Sequence, residues 1–540
     1  MTQLVSPQQS CELASPGDAL HDPSRALPQA HGNLPLLCAI GAATLLLHLL
    51  TGNRYGFNRD ELAIFEDARH LAWGYVAYPP VTPFFGRLAL ALFGTSLVGF
   101  RFFSALLQAV GVVLTGRMAE EMGGGRAAAI VAACASIPFA LGVGALMQYT
   151  SFDCLAWVLT AYLVVKLLKT DDPRYFLLIG ISIGLGMLAK YTMLFFATGV
   201  LAGLVLTPAR KYLRTIWPWL GLLLSLLLFA PNFLWLVDHH FVSYDFLKFI
   251  HTRDVAEGLT KYFLLDQLIL TLPVLPLWTA GLYFCLAAPD TKKFRPLAWM
   301  YLVPLFLLVM ARGRGYYLAP AYPMLYAAGA VHVERIVQKW FARHATLVRA
   351  VVAAFLLFTV LGAAAVALPL APIGSQWYRL ADKVNITLRD EIGWQDLVAT
   401  LARVRDSLPA EGQAHLGILA ENYGEVGAIN LYGPAYGLPR AISGVNSSWE
   451  RGYGDPAPQT VLIVGFSREF VETNFTACQL VAQNTNSYGI PNEENTERRD
   501  IFLCGPPQSW LAPILEEFPV LRLIRQMPRV FLAHPHNHPQ

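Results

Sequence analysis

Eleven stretches of apolar residues recur through the first 370 positions of the chain, most of them close to the ~20 residues that a helix needs to cross a bilayer, and they leave few folds open to it. They run from Leu34 to Leu50, Val98 to Thr115, Ala127 to Leu146, Cys154 to Leu168, Tyr175 to Ala189, Met193 to Leu206, Trp217 to Val237, Phe263 to Ala288, Leu297 to Met310, Leu318 to Val331 and Val351 to Leu370. The two short segments around Lys190 read equally as two helices or as one broken helix. Whole-chain figures agree with a polytopic membrane protein: 55% of the 540 residues are hydrophobic, 14% are charged, and the mean hydropathy is +0.44, whereas soluble proteins carry about 25% charged residues. The net charge of +3 is small and spread between loops, which argues against a nucleic-acid partner.

Orientation follows from the placement of Lys and Arg, because cytoplasmic loops carry the excess of both. An inside N-terminus makes Arg117 to Arg126, Lys166 to Arg174, Arg210 to Arg214, Lys292 to Arg295 and Arg335 to Arg349 cytoplasmic, and all five are basic. With an odd number of spans, both the C-terminal region and the stretch from Tyr55 to Pro83 then lie outside.

The tails and the region after Leu370 have another composition. Residues 1–33 are rich in Pro, Ser, Gln, Ala and His, which fits a disordered cytoplasmic tail. They lack the basic n-region and cleavage site of a signal peptide. Residues 34–371 form the membrane unit, residues 372–510 read as an extracytoplasmic α/β domain, and residues 511–540, ending in His-Pro repeats, as an extension. In the α/β region Arg389 to Leu408 has a helical apolar face, and Ala414 to Ala420, Thr460 to Phe466, Cys478 to Ala482 and Asp500 to Cys504 read as strands. No G-x-G-x-x-G follows a strand, so nucleotide binding has no support. The seven cysteines show no C-x-x-C and no zinc-ligand spacing. Cys478 and Cys504 fall together in the outer, oxidising compartment and are expected to form a disulfide, two free buried thiols being the alternative.

The stretch Tyr55 to Pro83, YGFNRDELAIFEDARHLAWGYVAYPPVTP, gathers acids beside a membrane. Asp60 and Glu61 could supply a general base, or could be solvated or paired with Arg59. Leu62, Phe65, Ala68, Arg69 and Ala72 follow a helical period and suggest an amphipathic helix in the interface, as do Phe84 to Phe93 and the loop Asp238 to Lys261. Asp153 opens the fourth helix and reads as a site acid or a helix cap. Lys190 interrupts an apolar run and would meet an anion or snorkel toward headgroups. In ARGRGYYLAPAYP, Ala311 to Pro323, Arg312 and Arg314 suit phosphate oxygens, and Tyr316, Tyr317 and Tyr322 suit sugar faces; an interfacial belt is the other reading. His239 and His240 beside Asp238 read as interfacial histidines. The glycine- and aromatic-rich run Tyr423 to Trp449 reads equally as turn and core or as a face toward glycan.

The run RDEL, then ARHL-WGYV--PP, LFG-S and Arg101, with echoes at Gly313 to Pro323 and Tyr423 to Gly444, resembles glycosyltransferase family 39, related to bacterial lipid A aminoarabinose transferases and protein O-mannosyltransferases. The resemblance implies a GT-C fold: a polytopic α-helical membrane protein of about eleven transmembrane helices with interfacial external-loop helices and a C-terminal extracytoplasmic α/β domain. It implies an inverting enzyme of the bacterial inner membrane that moves a sugar from a polyprenyl-phosphate donor to a hydroxyl of an extracytoplasmic lipid, glycan or protein acceptor. It makes Asp60 the base and Glu61 a supporting acid on acceptor or metal, with Asp153 the acid of the second external loop. Lys190, Arg312 and Arg314 would hold the donor phosphate, Arg314 standing where the family has Lys. Tyr55, Arg59, Tyr316, Tyr317 and Tyr322 would contact substrate. A divalent Mg or Mn ion is allowed, with Glu61 and Asp153 as its candidate ligands. The rival class is a transporter or flippase of a lipid-linked or small polar substrate. That class would place ionisable groups near mid-membrane and often show repeated halves, whereas here the charges stand at the outer helix ends and no internal repeat is seen.

Overall fold

A computed structural model describes residues 32–452 and 457–506. Nearly all of the N-terminal tail and the whole C-terminal extension inferred from sequence lie outside the described residues. All eleven apolar stretches are helical, but they differ in kind. Eight helices are long and apolar enough to cross a membrane: Leu34–Thr51, Leu97–Glu121, Arg126–Gly144, Tyr149–Thr170, Trp217–Asp238, Phe263–Leu286, Pro289–Met310 and Ala342–Ala367. The segments around Lys190 are two separate helices, Tyr175–Met187 and Met193–Val205, each too short to span alone at 1.5 Å per residue. Met193–Val205 is followed, after a 100° bend, by the short helix Pro208–Arg214. The tenth stretch is displaced from its expected bounds: Gly315–Ala321 is a tight 3₁₀ turn, and the α-helix runs from Tyr322 to Trp340.

That tenth helix is buried along its first half and packs hard against Leu275–Leu286. A Cβ on Gly281 would stand 2.0 Å from the carbonyl oxygen of Leu325, and one on Gly329 would stand 1.9 Å from that of Leu277. Only glycine lets the two backbones approach so closely, the device by which helices associate where no hydrophobic driving force separates lipid from side chain.

The basic connections converge at one end of the bundle. Glu121 accepts hydrogen bonds from Lys166 at 3.3 Å and Lys169 at 2.7 Å, Lys211 reaches Asp171, and Glu334 accepts from the backbone N–H of Gly125 at 2.6 Å. The other end carries helices Arg59–Arg69 and Val81–Phe93 and the C-terminal region.

After the last span, helices Gln376–Val384 and Trp394–Asp406 lead into a five-stranded sheet of β1 (Leu416–Ala420), β2 (Ala441–Ile442), β3 (Thr460–Val464), β4 (Gln479–Gln483) and β5 (Asp500–Cys504). The spatial order is β2-β1-β3-β5-β4, with β2, β1 and β3 parallel and β5 antiparallel to both its neighbours. β1 and β3 are almost wholly buried, so they read as continuous apolar runs. β2 is only two residues long and carries no strand signal. Pairing of Gln479 with Leu503 sets Cys478 beside Cys504, and the two are joined in a disulfide.

The C-terminal region shares a core with the loop that follows the first span. Phe57, Leu62, Phe65 and Phe100 pack with Trp394, Leu397, Val426 and Ile429 in one buried cluster. The helix expected to float in the interface, Arg59–Arg69, is therefore roofed by helix Tyr423–Tyr432, and seven of its eleven residues are buried. An apolar helix face does not say whether lipid or protein will cover it; here protein does. Helix Val81–Phe93, by contrast, leaves Phe84, Leu92 and Phe93 exposed.

Candidate active site

Helix Arg59–Arg69 is fixed at its start by a reciprocal cap. The Asn58 side chain accepts from the backbone N–H of Asp60 at 3.0 Å, and Glu61 accepts from the N–H of Asn58 at 2.9 Å. This places Asp60 and Glu61 in the first turn, where the helix dipole favours carboxylates, yet the two acids face different worlds.

Glu61 is fully buried and fully engaged. Arg101, on the span Leu97–Glu121, donates Nε to its Oε1 at 2.8 Å and Nη2 to its Oε2 at 2.6 Å, and the N–H of Met147 donates at 2.8 Å. Arg101 also donates to Glu391 of the C-terminal region at 3.0 Å. Asp60 is half-buried and, among the described residues, takes its side-chain hydrogen bonds from neutral donors: the Tyr423 hydroxyl at 2.9 Å and the Gln148 amide at 3.1 Å. Arg59 does not pair with it. That guanidinium turns to Glu493, to Glu494 at 3.6 Å and to Asp390 at 4.0 Å, strapping the helix to the C-terminal region.

Beside Asp60 lies a tyrosine cage. The Lys190 ammonium sits over the rings of Tyr317 at 4.5 Å, Tyr316 at 5.2 Å and Tyr149 at 5.3 Å, and among the described residues it makes no hydrogen bond or ion pair. Burial, together with Tyr316 and Asp60, acts on Tyr149, which links the cage to the carboxylate. Asp153 stands one turn from Tyr149. It is buried, accepts from Trp157 at 2.9 Å and Thr192 at 2.9 Å, and feels Lys190 through space. Its side chain therefore ties the fourth span to the break that carries Lys190.

The remaining sequence candidates are dispersed. Arg314 closes on Asp254 of helix Val242–Ala256 with two hydrogen bonds of 2.5 Å, so its fork is already engaged, on a carboxylate it shares with Arg253 at 3.1 Å. Arg312 is exposed, with a left-handed backbone at φ 47°. Tyr322 is in the core, donating to Gln267 at 3.1 Å and packed with Trp278, Tyr301 and Tyr326. Tyr55 donates to the carbonyl of Ala371 at 2.6 Å and meets Tyr378 edge-on at the join between the membrane helices and the outer region. The structure thus brings together Asp60, Lys190, Tyr316 and Tyr317, with Asp153 behind Lys190, and draws Tyr55, Arg59, Tyr322 and Arg314 to other tasks.

Gln148, Tyr149, Tyr423 and Glu391 complete the site and were not singled out as site residues from sequence. Gln148 and Tyr149 directly precede the Asp153 turn in QYTSFD, and Tyr423 opens the glycine-rich run already noted; proximity to flagged residues was the available signal. Glycine also makes the Tyr423 contact possible. A Cβ on Gly427 would meet the Leu62 carbonyl oxygen at 2.4 Å, so only glycine lets helix Tyr423–Tyr432 lie on helix Arg59–Arg69 and deliver Tyr423 to Asp60.

The seam between this helix and the C-terminal region is rich in buried acids. Burial pushes Glu391 up to about 7 against the pull of Arg101, Asp390 up to about 6 against Arg59, Glu494 up to about 7 against Arg59, and Glu425 up to about 8. Burial and the Asp60 carboxylate raise Tyr423 well above the ordinary phenol value, so it remains a donor. A divalent ion does not fit this arrangement. Among the described residues no group of three or more His, Cys, Asp and Glu could hold a metal, Glu61 has both oxygens committed, and Asp153 is bonded to Trp157 and Thr192.

Residues 77–235 match the family model described as dolichyl-phosphate-mannose-protein mannosyltransferase. No curated protein sequence matches the chain. The fold is similar to that of ArnT from Cupriavidus metallidurans bound to undecaprenyl phosphate, at a TM-score of 0.56 and 12% identity over 87% of this chain and 98% of that one. The same protein in its apo state gives a TM-score of 0.54 and 15% identity over the same shares. The shared architecture makes this chain a multi-pass membrane protein of GT-C fold, and residues 77–235 carry the signature of the mannosyltransferase family model within it.

Proposed function

We propose that the chain is an inverting glycosyltransferase that moves a sugar from a polyprenyl-phosphate donor to an acceptor hydroxyl on the extracytoplasmic side of a bacterial inner membrane. The observation that carries this reading is the pairing of Asp60, whose hydrogen bonds among the described residues come from neutral donors, with Lys190, which among those residues makes no hydrogen bond or ion pair and feels through space only an Asp153 already bonded to Trp157 and Thr192, across the tyrosines Tyr149 and Tyr316. In folded proteins buried charges are paired; two that stand open beside each other in a polar cage fit a reaction that brings an opposite charge to each. The family description and the undecaprenyl phosphate bound by the structural relative support a lipid-phosphate donor. The gathering of basic loops at the opposite end supports an outward-facing site, where nucleotide sugars are absent.

In this mechanism Asp60 takes the proton of the acceptor hydroxyl as the oxygen forms its bond to the anomeric carbon. The bond from that carbon to the phosphate oxygen breaks on the opposite face, its electron pair stays on the phosphate, and Lys190 neutralises the charge that develops there. Tyr423 and Gln148 hold the carboxylate in one orientation, and Tyr316 and Tyr317 provide ring faces for the sugar. Glu61 and Arg101 act by holding the helix that bears Asp60. Which sugar and which of lipid, glycan or protein receives it are matters for acceptor screening.

The test is Asp60→Asn, which keeps shape and hydrogen bonding while removing the base. Turnover is expected to fall ~10²- to 10⁴-fold with donor binding unchanged. Transfer within a few-fold of the unaltered protein would overturn the assignment of Asp60.

A further inference from the structure

Helix Gln376–Val384 begins shortly after the last span ends at Ala367, and it is two-faced. Tyr378 and Ala381 point inward to a small core with Leu388, Ile392 and Ile490. On the adjoining face Trp377, Leu380 and Val384, together with Ile386 just beyond the helix, are 43%, 64%, 75% and 62% exposed. At about 100° per residue, positions 377, 380 and 384 form one stripe, and the basic Arg379 and Lys383 flank it, both exposed. Three large apolar side chains in one stripe, with Ile386 just beyond it, are not the scattered exposure of an ordinary surface.

Two contacts say what covers them. The Trp377 indole donates to the carbonyl of Ala365 at 3.0 Å, and the Asn385 amide donates to that of Val366 at 3.3 Å, so both ends of the helix are tied to the last turn of a membrane span. That span presents Leu357, Phe358 and Leu361 to the outside, so the exposed stripe continues its lipid-facing surface at the level where hydrocarbon meets headgroups. We infer that helix Gln376–Val384 lies in the bilayer interface with Trp377, Leu380, Val384 and Ile386 in the acyl region and Arg379 and Lys383 among the headgroups.

The helix is also wired to the site. Arg389 forms a two-fold hydrogen-bonded pair with Asp382 at 2.9 and 2.7 Å, and the following residues Asp390 and Glu391 bind Arg59 and Arg101. The membrane surface thus sets the height of the strap that holds helix Arg59–Arg69.

The experiment uses the full chain with Cys11 and Cys38 replaced by Ser. Leu380→Cys, Val384→Cys and Arg379→Cys are labelled singly with bimane and reconstituted in phosphatidylcholine and phosphatidylglycerol vesicles, and the label on the background protein is subtracted. Labels at 380 and 384 are expected to be quenched several-fold more than the label at 379 by a nitroxide carried on a shallow acyl carbon, and several-fold less by aqueous iodide. Equal iodide quenching at all three positions would show the face to be solvated. Protection at 380 and 384 from both quenchers would show that protein covers it. Either result overturns the inference.

Discussion

At the scale of single residues, the site is defined by which charges are left without a partner of opposite sign. Lys190 is the clearest case, held by three rings and, among the described residues, hydrogen-bonded to no acid. Lys190→Gln is expected to weaken donor binding at least ~10-fold, while Lys190→Arg retains most of it, because charge rather than geometry answers a phosphate approached by a flexible stem; titration with a polyprenyl phosphate checks this, and equal tolerance of both changes refutes it. Arg314 should behave differently. With its fork closed on the buried Asp254, Arg314→Gln leaves that acid to Arg253 alone, and Asp254→Asn strands the guanidinium. A double-mutant cycle in thermal unfolding should return a coupling of roughly 1–3 kcal/mol. Additive effects would release Arg314 to read the donor phosphate directly.

At the scale of elements, two packed helices matter most. Gly427→Ala drives a methyl into the backbone of Leu62, and overpacking of this kind costs about 1–3 kcal/mol. It should also draw Tyr423 away from Asp60, so faster proteolysis of the C-terminal region together with reduced turnover is the expected signature. Arg101→Ala removes the shared partner of Glu61 and Glu391 and leaves two buried acids uncompensated, at a cost of about 3–5 kcal/mol; unfolding midpoints measure it. The spans were legible because lipid forces each to be a run of apolar residues long enough to cross. The helix Arg59–Arg69 was legible as a helix from the apolar period that runs through Leu62, Phe65 and Ala68, but its roof was not. Nor were the true partners of Arg59, since Glu493 lies 434 positions away. Tyr322 and Tyr317 sit in one motif, yet a turn of 3₁₀ helix sends one into the core and leaves the other in the cage. Local spacing cannot resolve that difference.

For the whole molecule, the acid-rich seam makes stability depend on pH. Glu391, Asp390, Glu494 and Glu425 all bind their protons more tightly folded than unfolded, their values rising from 4.5 or 3.8 to between about 6 and about 8. The folded state therefore carries more protons than the unfolded one across this window, and stability falls as pH rises from about 5 to about 8. Thermal unfolding or limited proteolysis of the C-terminal region at pH 5.0 and pH 8.0, as about the ends of that window, should find the seam tighter in acid; a midpoint that rises with pH contradicts the seam described above. The hydrogen bond from Tyr423 to Asp60 joins residues 363 positions apart. At ~5–20 residues per second of synthesis, roughly 20–70 s separate the emergence of the two. During that interval the growing chain must thread its later spans with the Asp60 carboxylate still lacking its phenol, so membrane insertion proceeds without a finished site.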